Sequence, residues 1–279
     1  MFELKKIGFV KRASALLLDA ILLAVLATGF MFIVSLICNY SAEEQKAQDY
    51  FSQWDEYRKE YVAEIAENYG FTYVESEDGE SYTIMQGDKM SSLDAVISAL
   101  ANDEKRTERM EEVFAEYEKL PSVAQVNAQY EYVYNLLFMM VSVGVLLAYM
   151  ILEFILPIIF KNGQTVGKKV FSIGLVRPNG VKITNLALFA RTILGKYAIE
   201  TMFPILLVFL FLFGGIGWLA IILFVAITLL NIIMFFATSN KTPIHDTIAN
   251  TVAVDIKLQN IYESEDEIVE KKKKDYINS

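Results

Sequence analysis

Apolar residues fall into four long runs, at positions 14–37, 133–160, 197–213 and 217–236, separated by stretches rich in charge and turn residues. Each run is near the roughly 20 residues that a helix rising about 1.5 Å per residue needs to cross about 30 Å of hydrocarbon. That length predicts helices rather than barrel strands. Only Gly214, Gly215 and Ile216 part the last two runs. Together they hold about 40 residues, too many for one crossing, so a tight helical hairpin is expected. The predicted fold class is an all-α integral membrane protein with four transmembrane helices. A mainly helical α-β-β-α insert lies between the first and the second.

The insert has its own periodicity. From Ala42 to Tyr69 the large residues Tyr50, Trp54, Tyr57, Tyr61 and Ile65 recur at spacings of four and three, an aromatic stripe along one helical face. A second helical stretch is expected from near Ser92, with Leu93, Ile97 and Leu100 in register, running on through Val113, Tyr117 and Leu120. Between them, 71–75 and 81–85 alternate around Asp78-Gly79, which predicts a β-hairpin. The stripe reads as core and the many acidic residues as a solvated face; no calcium-loop pattern is present. The segments are thus 1–38 (N-terminus and first span), 39–132 (acidic insert), 133–256 (membrane domain with a hairpin at 161–196) and 257–279 (charged tail).

Charge orients these elements. Residues 1–13 carry Lys5, Lys6, Lys11 and Arg12 against Glu3, and 161–196 carry seven basic residues and no acidic one. Both belong in the cytoplasm by the positive-inside rule. Residues 38–132 hold 22 acidic against 8 basic residues, 8 − 22 = −14, more negative than the whole chain at −9. That segment belongs outside, and both termini inside. The first run is too long for a cleaved signal peptide, and Asp19 interrupts it. Ser35-Leu36-Ile37-Cys38 resembles a lipoprotein processing site except at Ile37. One cysteine excludes an intramolecular disulfide, so the insert must stand on packing.

The most motif-like string runs from Lys161 to Gly180. Gly163 and Gly167-Lys168 suggest a phosphate loop, but three residues part the glycines instead of four, Lys169 follows the lysine, and a membrane helix precedes. The nucleotide reading fails. A turn at Asn162-Gly163, an alternating strand from Val170 to Val176, and a Pro-Asn-Gly turn into 181–184 are expected instead. Thr184 is suited to cap a helix whose apolar Leu186, Phe189, Ala190, Ile193 and Leu194 lie beside Arg191 and Lys196. That helix is expected at the inner interface, ahead of the third span.

Several separated strings carry a family resemblance: Phe9 through Arg12 to Asp19, Gly163-Gln164-Thr165 to Lys169, Thr184 through Arg191, and His245-Asp246 to Val254. The chain resembles the RDD family of small bacterial membrane proteins, named for an arginine and two aspartates, which Arg12, Asp19 and Asp246 match. The resemblance covers 1–38 and 133–256. Val166 and Asn250 stand where the pattern has proline and glycine, and the acidic insert replaces a short connection. It implies a helical membrane domain associated with transport, without a general biochemical activity.

Function must come from the site. Asp19 follows Arg12 by seven residues, about 10 Å along one helical face. Glu153, on the antiparallel second span, is expected at nearly the same depth, and Glu200 lies near the start of the third. The candidate polar site is Arg12, Asp19, Glu153, Arg191, Glu200 and Asp246, near the inner leaflet. Two readings stay open. Either a carboxylate, Asp19 first and Glu153 with it, couples to an ion or proton, or the charges form a structural clasp. His245, the only histidine, lacks the further ligands of a metal site and reads as a local cap. No catalytic triad is legible, so no enzymatic activity, cofactor or nucleic acid is expected. The expected partners are the lipid bilayer, further copies of the chain, and a protein at the acidic insert.

Overall fold

The computed structural model describes residues 4–5, 7–76, 82–213, 217–237 and 242–277. The chain is mostly helical with small sheets, and it forms two compact units, Met1–Cys38 with Phe138–Ser279, and Asn39–Leu137.

Three apolar helices are long enough to cross a membrane among the described residues: Phe9–Ile37, the run within Glu108–Phe160, and Asn185–Leu212. The apolar helix Trp218–Ala237 follows; the glycines expected to turn the chain before it, Gly214 and Gly215, lie outside the described residues. The first three helices pack through Ala27, Val145, Ala148, Tyr149 and Met202, joined by Leu23, Phe30, Val141 and Tyr197. Without a hydrophobic drive between helices in lipid, small residues and cross-helix hydrogen bonds hold such contacts. Both occur here. Tyr149 Oη lies 2.8 Å from Thr201 Oγ1, and Ser142 Oγ 2.8 Å from Tyr197 Oη. At Gly144 the backbones of the first two helices come close enough that a Cβ would lie 2.5 Å from Met31 Cγ and 3.1 Å from the Ala27 carbonyl oxygen.

The third helix departs from expectation. Thr184 caps it, its Oγ1 accepting from the Ala187 N–H at 3.2 Å, but no separate interfacial helix follows. The chain continues as a π-helix over Ala190–Met202 and as an α-helix over Phe203–Leu212. Arg191, Thr192 and Lys196 are buried. They find polar partners inside the unit, so the chain need not break to keep them in water.

The basic connection is also rearranged. Val170 does not start a strand; it ends the short helix Val166–Val170, whose cap is Thr165, with Oγ1 accepting from the Lys168 N–H at 3.3 Å. The strand is shorter, Ile173–Val176, and buried at all four positions instead of alternating. It pairs antiparallel with Val252–Asp255 in register Ile173 to Asp255. Ile7, Ala15 and Ile173 pack together there, with Phe171 and Ala253 against them. The expected turns are present. Lys161, Asn162 and Gly163 all have positive φ, and the Gly180 N–H donates to the Arg177 carbonyl at 2.9 Å.

The Asn39–Leu137 unit has its own core of Tyr57, Val62, Ile65, Val96, Leu100 and Val113. The aromatic stripe lies on a helical run Tyr40–Tyr57, Arg58–Val62 and Ala63–Asn68, with a π turn in the middle. Trp54 Nε1 donates to the Pro121 carbonyl at 2.8 Å. Strands Thr72–Glu75 and Tyr82–Gln86 pair antiparallel as expected, and a third, Lys89–Ser91, adds to Tyr82–Gln86 through a turn at Gly87. The turn predicted at Asp78-Gly79 lies outside the described residues. The second helical stretch is two helices, Leu93–Ala101 and Glu108–Lys119, because Thr107 caps a new start by accepting from the Met110 N–H.

Gly144→Val should lower the thermal midpoint in detergent, at a cost of about 1–3 kcal/mol from forced repacking at the helix crossing. Gly144→Ala should cost less. Equal midpoints for wild type and Gly144→Val would show that this crossing does not hold the bundle.

Candidate functional site

Two proline positions set up the site. Pro157 and Pro204 each follow a glutamate, Glu153 and Glu200, by four residues. A proline in a helix cannot donate to the carbonyl four residues back and crowds it. The winding widens at both places, over Met150–Ile155 and Ala190–Met202. The Glu153 carbonyl accepts instead from Thr192 Oγ1 of the third helix, at 2.9 Å. Wider winding also matters for side chains. Nine residues at 3.6 per turn would put Arg191 and Glu200 about two and a half turns apart, on opposite faces. A π-helix carries more residues per turn and brings them towards one side.

Glu153 is the centre, with its side chain 6% exposed, and Arg191 beside it is 3% exposed. Lys196 Nζ donates to Glu153 Oε1. Arg191 Nη1 stands 3.5 Å, and Lys168 Nζ 3.7 Å, from Glu153 Oε2. Arg191 turns its Nε to Asp246 Oδ1 at 2.7 Å, and Thr251 Oγ1 donates to the same oxygen at 2.9 Å. His245 Nδ1 lies 2.7 Å from Glu200 Oε2, while the His245 backbone N–H donates to Glu200 Oε1 at 3.1 Å. A carboxylate only accepts, so the proton is on Nδ1 in this pair. His245 Nε2 is 3.7 Å from Asp246 Oδ2. The third helix can approach this closely because of Gly195, where a Cβ would lie 2.6 Å from the His245 Cα.

Asp19 is held differently. Its two oxygens accept from Thr165 Oγ1 at 2.5 Å and from the Gly167 N–H at 2.7 Å, so it caps the short Val166–Val170 helix from another helix. A Cβ at Gly167 would lie 2.3 Å from the Ala15 carbonyl oxygen, so glycine is what lets the capping turn sit on the first helix. Arg12 Nη2 donates to the Ala253 carbonyl at 3.2 Å, and the guanidinium is within electrostatic reach of Asp246.

Of the sequence-predicted residues, Glu153, Arg191 and Asp246 therefore form one chain of ion pairs, with Glu200 joined through His245. Arg12 and Asp19 anchor the first helix to the strand Val252–Asp255 and to the capping turn. Lys168, Lys196, Thr165, Thr192 and Thr251 join the site beyond the sequence-predicted set. His245, expected as a local cap, is instead a link in the network. The pair of glutamates followed four residues later by proline was the signal available in the chain.

The field of the cluster shifts the groups outside the membrane helices. Burial alone would raise the Asp246 carboxyl, but Arg191, His245 and Lys168 outweigh it and hold the group below its ordinary 3.8. Burial and Arg191 lower the His245 imidazole despite the pull of Asp246 and Glu200. Burial pushes the Lys168 ammonium down to about 7, with Glu153 and Asp19 opposing and Arg191 and Lys196 reinforcing.

The RDD family matches residues 110–250. That stretch contains Glu153, Lys168, Arg191, Lys196, Glu200, His245 and Asp246, whereas Arg12 and Asp19 precede it. No curated protein and no solved structure matches the chain.

Two substitutions separate the anchors. Asp246→Asn takes from the buried Arg191 its hydrogen-bonded carboxylate, leaving only the looser pairing with Glu153, and should cost about 3–5 kcal/mol. Asp19→Asn weakens one capping interaction and should cost about 1–3 kcal/mol. Unfolding midpoints in detergent should fall in that order.

Acid titration offers a further check. Because the folded carboxyl of Asp246 lies below its ordinary 3.8, its stabilisation is complete above that value and disappears as pH falls through the lower one. The acid loss of stability should be shallower in Asp246→Asn; identical acid limbs would show that Asp246 does not contribute.

Proposed function

Because the chain belongs to the RDD family, a family of membrane proteins, we propose that it moves an ion or small solute across the bacterial cytoplasmic membrane, with Glu153 as the coupled carboxylate. The reading takes four spans with both termini in the cytoplasm and the acidic 39–132 segment outside. Three long apolar helices, a fourth apolar helix and the sorting of charge between them support it. In this topology the network lies towards the cytoplasmic side, because Lys168 and Asp246 stand on segments that the charge rule keeps inside. A pathway bounded by four helices has a thin wall, which favours an oligomer of the chain. No enzymatic step is assigned to it.

The observation that carries the reading is the state of Glu153. An ionisable group among membrane helices is a functional candidate by default, and widened helical turns recur at functional sites. A purely structural clasp would be expected to satisfy its members, yet Glu153 Oε2, Lys168 Nζ and Arg191 Nη1 have no hydrogen-bond partner among the described residues.

The second reading, a non-transporting anchor or assembly factor that binds a protein through its acidic segment, draws support from the separate core of Asn39–Leu137 and from the saturated bonding of Asp19. Proteoliposomes discriminate between them. Ion-dependent proton movement, read with an internal pH dye, should be abolished by Glu153→Gln in folded protein. Asp19→Asn should retain flux and lose stability. Undiminished flux in Glu153→Gln would exclude Glu153 as the coupled group, and absence of flux in wild type would favour the anchor.

A further inference from the structure

The three unsatisfied atoms of the network face one another. Lys168 Nζ and Arg191 Nη1 are buried cationic donors without hydrogen-bond acceptors among the described residues, and both point towards Glu153 Oε2 across 3.7 and 3.5 Å. Both separations are ion-pair contacts rather than hydrogen bonds, and buried donors left without an acceptor call for a small bridging species beside them. Donors outnumber acceptors at the gap. An ammonium and a guanidinium nitrogen offer only protons, and Glu153 has already given Oε1 to Lys196. The missing species must therefore accept from both cations, as an anion or a water does.

Charge balance narrows it further. Arg12, Lys168, Arg191 and Lys196 offset Asp19, Glu153, Glu200 and Asp246, four against four, with His245 neutral. A low-dielectric site that is already neutral takes up an anion at least cost when a positive charge enters with it. Glu153 is where that charge can go. Its Oε2 borders the gap, and a proton there removes the repulsion of the incoming anion and turns the third unsatisfied atom into a donor. The groups facing Glu153 are Tyr149 from its own helix, Lys168 from the connection, and Arg191 and Lys196 from the third helix, with His245 and Glu200 beyond these two. Asp246 stands behind Arg191, and Asp19 behind Lys168.

We propose that a small monovalent anion binds between Lys168 and Arg191 together with one proton on Glu153. This rests on the reading of the network as a ligand site and names the class of ligand. Co-binding of one proton makes the anion affinity fall about tenfold for each pH unit above the point where Glu153 ionises.

The test is chloride titration of the purified full chain in detergent, followed by calorimetry between pH 5 and 6.5, with gluconate as the bulky control. That window lies below the value of about 7 to which burial pushes the Lys168 ammonium, so the group is mostly charged, and fully so at its acid end. Wild type should bind chloride with the tenfold dependence and ignore gluconate. In Glu153→Gln the affinity should rise about tenfold or more at pH 6.5 and lose its pH slope. A slope retained in Glu153→Gln overturns Glu153 as the proton acceptor. Absence of chloride binding throughout, as expected for a bridging water, overturns the site. A second measurement needs no variant: adding chloride to weakly buffered wild type should take up one proton per anion, and zero uptake overturns the coupling. Binding without flux in proteoliposomes would leave this inference standing and remove transport. Cation-driven flux without chloride binding would do the reverse.

Discussion

A carboxylate buried among membrane helices must be neutralised where it stands, and Glu153 imposes that condition on the membrane unit. The penalty for leaving a charge unpaired there far exceeds what one packing contact contributes. Glu153 draws Lys196 and Arg191 from the third helix and Lys168 from the connection after the second. Arg191 then carries the linkage to Asp246, beyond the last apolar helix. Segments far apart in the chain are thus fixed to one another by a single buried charge and its neighbours.

The backbone prepares this arrangement. Proline four residues after each glutamate removes one helical hydrogen bond and opens the winding, so a carbonyl is freed for Thr192 and the polar side chains of the third helix gather on one side. Gly195 then permits the close approach of His245. Widened winding, close approach and charge pairing are consecutive results of the same stretch of sequence.

Asp19 and Glu153 are both acidic residues within apolar helices, but their surroundings give them different work. Asp19 spends both oxygens on capping a turn, a use in which losing its charge would undo a fixed contact. Glu153 keeps one oxygen without a hydrogen bond and faces two unsatisfied donors, a use in which a change of protonation has somewhere to act. The acidic unit solves a separate problem: lacking a disulfide, it relies on Tyr57, Ile65, Leu100 and Val113.

The sequence by itself determined the helical membrane character and the separate acidic segment, and it singled out Glu153, Arg191, Glu200 and Asp246 as charges in or beside apolar runs, because hydropathy, periodicity and charge are properties of neighbouring positions. It placed Thr184 at a helix start, and Tyr57 and Ile65 in a core, for the same reason. Only the tertiary structure decided which charges meet. Lys196 and Glu153 are 43 positions apart, Arg191 and Asp246 55, and Thr165 and Asp19 146, so no local pattern specifies these pairs. It also replaced the expected start of a strand at Val170 with a capped helix, and the expected interfacial helix with continuous π winding. In both places a long-range polar contact offset the local preference, because a buried donor or charge without a partner costs more than local propensity contributes.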